Sequence, residues 1–203
     1  VNSDRNNETY QASKNQAARE AKIVKAMAAN GIPPEGALAL LQGPKLFAQH
    51  CASCHTYGGE NGIGNKVEDS SASDLKGFAS REYLTELLHP NRFGSDKFFG
   101  KTAHAKKSKM QDFLEDEFDG MDEDKSLRAD MDKLIKAISA EAKLPSQAAA
   151  DVSDKAAIGA GRELFEEIGC VDCHALGGWN ADDYSAPDLT GYGSREWMLG
   201  ILY

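Results

Sequence analysis

The sequence has little that would carry it through a membrane or onto nucleic acid. Its 203 residues contain no run of 18 apolar positions, so no transmembrane helix lies within them. Lysine and arginine together number 23 against 32 aspartates and glutamates, and the formal net charge of −9 argues against nucleic acid as a partner. Aromatic residues make up only 8% of the chain. Two small domains of roughly 80–100 residues each would therefore have thin cores unless something else filled them. No leader-like segment stands at Val1, which reads as a mature or excised chain. Cysteine is scarce too, four in all, and no strand–helix–strand pattern surrounds any of them.

All four cysteines fall in two copies of one pattern: Cys51-Ala52-Ser53-Cys54-His55 and Cys170-Val171-Asp172-Cys173-His174. C-x-x-C-H is the attachment signature of c-type haem. Two thiols three positions apart on a tight turn can add to the two vinyl groups of one porphyrin, and the adjacent histidine offers a nitrogen to the iron. The residues thus predict two covalent haem c groups, held by Cys51, Cys54, Cys170 and Cys173, with His55 and His174 as iron ligands. A lone C-x-x-C also serves as half a zinc site or as a thioredoxin-like redox pair. A zinc ribbon places its second pair about 15–20 residues on, whereas Cys54 and Cys170 stand 116 positions apart.

Around these motifs the chain reads as helices and loops. Residues 7–30 form a polar helix, a solvated spacer or a docking helix, stopped by Asn30-Gly31 and Pro33-Pro34. A short amphipathic piece covers 35–41. A helix over 43–50 carries Pro44 in its first turn, Leu46 and Phe47 toward the core and His50 at its end. Residues 56–73 are loop. Ser80 caps a helix over 80–88 whose buried face holds Tyr83, Leu84, Leu87 and Leu88, and Pro90 ends it. Mostly loop follows to 109, then an acidic segment over 110–124. A helix from Ser126 to near Leu144-Pro145 presents Leu127, Met131, Leu134, Ile135 and Ile138 on one face. Residues 146–155 read as a linker.

The chain then restarts. Gly161-Arg162-Glu163-Leu164-Phe165 mirrors Gly43-Pro44-Lys45-Leu46-Phe47, and DLTGYGSREW from Asp188 mirrors DLKGFASREY from Asp74, 114 positions earlier. The division this predicts is 1–42 as N-terminal helix and connector, 43–143 as one haem domain, 144–157 as linker and 158–203 as the front half of a second.

Helix, C-x-x-C-H, Gly-rich loop, middle helix, methionine and closing helix resemble a class I cytochrome c domain. The fold implied is all-α, two such domains in tandem with the second incomplete. The wording IPPEGALALLQGPKLFAQHCASCH and SAPDLTGYGSREWM resembles the cytochrome c region of bacterial quinol-oxidising cytochrome bc complexes. The resemblance implies a methionine as sixth iron ligand. Met110-Gln111-Asp112-Phe113 looks like the family's Met-Pro-x-Phe/Tyr, with Gln111 where proline is usual. Met121, His89 and His104 are the alternatives. Met131 is core on its helix face, and Met198, which aligns with Leu84, reads as packing. The resemblance also implies a carbonyl acceptor for each proximal histidine's second N–H: Pro187 for His174 and Ser73 for His55. Arg81, Arg195, Tyr83 and Trp197 would approach haem propionates or cover the ring, or else be surface arginines and packing aromatics.

The implied function is electron transfer. The donor would be a cytochrome b/Rieske-type complex and the acceptor a soluble redox protein. The place would be the periplasm or the outer face of a bacterial energy-transducing membrane, with membrane association only through the complex. The rival is a two-haem enzyme of the cytochrome c peroxidase type, with one open iron. The repeat carries Met110 forward to a place about 20 residues beyond Tyr203. The expectation is that the natural polypeptide continues there, or that another chain covers the second haem.

Overall fold

Capped helices separated by left-handed glycine turns set the architecture. The computed structural model describes residues 7–28, 37–58, 63–64, 70–102, 108–181 and 186–202. Among these, α1 spans Glu8–Ala28. The Asn7 carboxamide opens it by accepting from the Tyr10 N–H at 3.0 Å. It is polar and exposed at nearly every described side chain, as a solvated spacer would be.

The second helix, α2, runs over Ala37–His50 and carries Pro44 in its interior. The sequence reading began a helix at Pro44. The structure instead begins the helix at Ala37 and continues it past Pro44, although proline cannot donate to the preceding turn. After the first C-x-x-C-H, the expected loop contains a small two-stranded antiparallel sheet. Strand β1, Thr56–Tyr57, pairs with β2, Ile63–Gly64. Then α3 covers Arg81–Leu87, with the Ser80 hydroxyl accepting from the Tyr83 N–H at 3.1 Å. Pro90 ends that helix and at once begins a short one, α4 (Pro90–Phe93), at the position where proline's missing N–H costs nothing.

The acidic segment, to which the sequence assigns no element, forms α5, Lys109–Phe118, capped by Ser108. Leu114 and Phe118 are its buried positions, and its acids point outward. Helix α6, Lys125–Glu141, starts where Asp124 accepts from the Ser126 and Leu127 amides. Of the predicted face, Met131, Leu134, Ile135 and Ile138 are buried and Leu127 is half-buried.

The stretch read as a linker is helical. Helix α7 spans Ala148–Ser153, and α8, Lys155–Glu167, follows directly and packs along α6. The approach is close because Gly161 faces the Lys133 carbonyl, where a Cβ would collide. After the second C-x-x-C-H, the last described helix is α9, Arg195–Leu202. The apolar cluster does not stop at the linker. Tyr83, Leu84, Phe98, Leu134 and Ile138 share one core with Phe165, Leu176 and Tyr192. Two separate thin cores were expected; a single continuous one is found.

Candidate functional site

Each C-x-x-C-H motif folds into the same tight turn at a helix end. In the first, the Cys54 and His55 amides donate to the Cys51 carbonyl at 3.1 and 2.9 Å. In the second, the Cys173 and His174 amides donate to the Cys170 carbonyl at 3.3 and 2.9 Å. The turn places both thiols and the imidazole within one revolution of backbone. No disulfide joins the four cysteines. Cys54 is exposed, and Cys51, Cys170 and Cys173 are half-buried by residue. Burial pushes the Cys170 thiol up to about 12, so it stays protonated at neutral pH.

The imidazoles are oriented alike. His55 Nδ1 lies 2.7 Å from the carbonyl of Ser73, 18 residues on. His174 Nδ1 lies 2.7 Å from the carbonyl of Pro187, 13 residues on. A carbonyl can only accept, so in both rings the proton sits on Nδ1 and the lone pair on Nε2. Both expected acceptors are therefore in place, although the second loop is shorter.

What holds Ser73 was not read from the sequence. The adjacent Asp74, only 4% exposed, accepts from Thr56 Oγ1 at 2.7 Å and from the Gly58 amide at 3.0 Å. It also accepts from the Lys76 amide at 2.8 Å. The later copy does this differently. Asp188 accepts from the Thr190 amide at 2.7 Å, and Thr190 Oγ1 accepts from the Gly177 amide at 3.0 Å. The recurring Asp-Leu-x-Gly was the available signal.

The remaining candidates fall in different places. Met110 is half-buried at the start of α5 and packs against the core. Gln111, in the proline position of the family pattern, donates from Nε2 to the Pro90 carbonyl at 2.8 Å, tying α5 to α4. Met121 and Met131 are both buried in the core. His89 has both ring nitrogens engaged: Nδ1 accepts from the Asn91 amide and Nε2 faces Asp122 Oδ1 at 3.2 Å. No lone pair is left for a metal. His104 lies outside the described residues. His50 ends α2 exposed, and Met198 is half-buried on α9.

Arg81 reaches Asp151 at 2.7 Å and Asp154 at 2.5 Å. Burial alone would lower its pKa, but the two carboxylates outweigh it and the net shift is upward. Arg195 is exposed. Tyr83 is buried, and Trp197 donates from Nε1 to the Asp188 carbonyl at 2.8 Å. These aromatics pack rather than point into solvent. The sequence also gave no notice of Glu141, which is 8% exposed at the end of α6. It pairs with Arg162 and accepts from the Gly191 amide at 2.8 Å.

This donor set fits covalent haem. The thiols are unpaired and each Nε2 lone pair is free of the carbonyl that holds its ring; Leu46, expected toward the core, is instead 49% exposed. A zinc site is not assembled, since no three metal-ligating side chains converge among the described residues.

The chain matches the cytochrome c family model over residues 40–152 and belongs to that family, whose members carry covalently bound haem c and transfer electrons. It is 26% identical over 162 residues to the cbb3-type cytochrome c oxidase subunit CcoP of Helicobacter pylori strain ATCC 700392 / 26695, covering 79% of this chain and 46% of that one. The same subunit from strain 52 gives the same figures. Cytochrome c oxidase subunit 2 of Alkalihalophilus pseudofirmus is 33% identical over 75 residues, 37% of this chain and 19% of that one. The chain thus spans about half the length of the first of these relatives. No solved structure matches it. No helix among the described residues is long and apolar enough to cross a membrane.

Proposed function

We propose that this chain is a two-haem cytochrome c that relays electrons between a membrane quinol-oxidising complex and a downstream acceptor. The observation that carries the reading is the duplicated imidazole geometry: two histidines, each following a pair of unpaired cysteines, each with Nδ1 held 2.7 Å from a backbone carbonyl. Cys51 and Cys54 hold one haem and Cys170 and Cys173 the other, while His55 and His174 present Nε2 to the irons. Bound haem supplies a one-electron couple at its iron. The protein's part is to fix each imidazole, strengthen it as a donor through the Nδ1 hydrogen bond and limit water at the ring.

Met110 serves as sixth ligand of the first site. Its support is its half-buried place at the start of α5, with Gln111 pinning that start to Pro90. The domains run 43–143 and 158–203, joined through 144–157. The site of action is the outer face of a bacterial energy-transducing membrane. The named relatives favour a second reading of the partner, in which the complex served is a terminal oxidase rather than a cytochrome bc complex.

A pyridine haemochrome assay on purified protein tests the two-haem reading. Two covalent haems per chain are expected, resisting extraction into acidic organic solvent. One haem per chain overturns it.

A further inference from the structure

The two copies of the repeat meet through equivalent residues. Tyr192 lies 114 positions after Phe78, and the same interval separates Gly193 from Ala79, Ser194 from Ser80 and Trp197 from Tyr83. The Phe78 and Tyr192 rings pack with centroids 5.1 Å apart. Phe78 also stacks on Trp197 at 6.1 Å. A Cβ placed on Gly193 would run into the Cβ of Ala79. The backbones match as well. Gly77 and Gly191 have φ of 70 and 71°, and Ala79 and Gly193 have φ of 63 and 75°. Both serines cap the next helix, accepting from Tyr83 and Trp197 amides, each at 3.1 Å. Position 78 meeting 192 and position 79 meeting 193, each its own counterpart, is the pattern a two-fold axis makes where it passes through an isologous contact.

We propose that residues 77–83 and 191–197 are two copies of one self-complementary docking surface, related by an internal two-fold axis at the Ala79–Gly193 contact, and that this surface locks the two histidine sites into a single rigid body. The partner each copy takes is the other copy. Ser73 and Pro187, whose carbonyls orient the histidines, stand five positions before Phe78 and Tyr192. The segments that set the imidazoles therefore run directly into the axis. At the axis there is room for one methyl group, not two. Ala79 supplies it, so position 193 must be glycine while position 79 is alanine.

The inference rests on the repeat and not on haem loading, and a swap tests it in the full-length holoprotein. Gly193→Ala adds the second methyl. The double change Ala79→Gly with Gly193→Ala moves the single methyl across the axis and keeps one alanine and one glycine in left-handed conformation. Urea unfolding is followed by fluorescence of Trp179 and Trp197, both in the later copy, and by far-ultraviolet circular dichroism, which reads all helices. The radius of gyration is read by small-angle X-ray scattering. Wild type and the swap should give coincident transitions and equal radii. Gly193→Ala should move the fluorescence transition to lower urea, ahead of the dichroism, and enlarge the radius.

Coincident transitions and an unchanged radius in Gly193→Ala overturn the proposal, as does a swap no better than the single change. Should Gly193→Ala not be recovered folded, the swap decides alone: wild-type behaviour supports the axis and a second failure overturns it. Haem counted on the same samples keeps the two readings apart. One haem per chain overturns the two-haem function and leaves these outcomes standing.

Discussion

Ser139 is fully buried in α6 and joins three segments of chain. Its hydroxyl donates to the Ala79 carbonyl at 2.8 Å and accepts from Gln147 Nε2 at 2.8 Å. Gln147 Oε1 in turn accepts from the Arg81 amide at 2.9 Å. Ser139→Ala would leave the Ala79 carbonyl and one Gln147 N–H without partners in the interior. Each buried orphan costs about 1–3 kcal/mol. Alanine's better helix propensity returns about 0.5 kcal/mol. The net expectation is a loss of ~3 kcal/mol, which for a chain of this length lowers Tm by about 6–12 °C. Urea unfolding with linear extrapolation measures the first number and a thermal melt the second. A cycle with Gln147→Leu should show the two losses to be less than additive by about 1 kcal/mol, because both remove the same bond. A loss under about 0.5 kcal/mol for Ser139→Ala, the range of an ordinary surface change, would refute the claim that this buried chain of hydrogen bonds holds the left-handed turn at Ala79 in place.

Gly161→Ala would gain stability in an isolated helix, yet here its Cβ meets the Lys133 carbonyl and Ala137. A loss of more than about 2 kcal/mol is expected in urea unfolding, of the size overpacking brings. Burial raises the Tyr83 pKa to about 12 from 10.0 and that of Tyr192 further. A folded pKa above the unfolded one means stability is whole below pH 10 and drains as pH climbs through about 12, by ~3 kcal/mol for Tyr83. Tyrosinate absorbance should rise together with loss of dichroism, and ionisation of both at pH 10 in a folded protein would contradict it. Met110→Ala in the holoprotein should open one iron to carbon monoxide and lower its potential. A visible spectrum unchanged by carbon monoxide would assign the sixth ligand elsewhere.

Local chemistry was readable from the residues. The two C-x-x-C-H turns and the Ser80 cap depend on neighbours a few positions away, and sequence spacing reports such things; the Ser73 and Pro187 acceptors came from the family resemblance instead. The apolar face of α6 was readable because its period is local. The misses were set by contacts at long range. The three alanines from Ala148 favour a helix, but no residue near them says that it will be fixed where Gln147, Asp151 and Asp154 meet Arg81 some 70 residues earlier. Nothing near Phe165 says that it shares a core with Leu134, or near Glu141 that Arg162 will neutralise it. Pro44 misled for the opposite reason. Its local preference for a first turn was overridden by a helix that begins at Ala37.

The unequal pair at the centre of the molecule bears on anyone who would rebuild this chain as an ideal repeat. Consensus design makes corresponding positions identical. Here identity is the one arrangement the contact refuses in either direction. Alanine at both places puts two methyl groups in the space of one, and glycine at both leaves a gap where Ala79 now fills the core at 0% exposure. Position 79 and position 193 are therefore bound to differ, and a change at either should be survivable chiefly when the other changes with it.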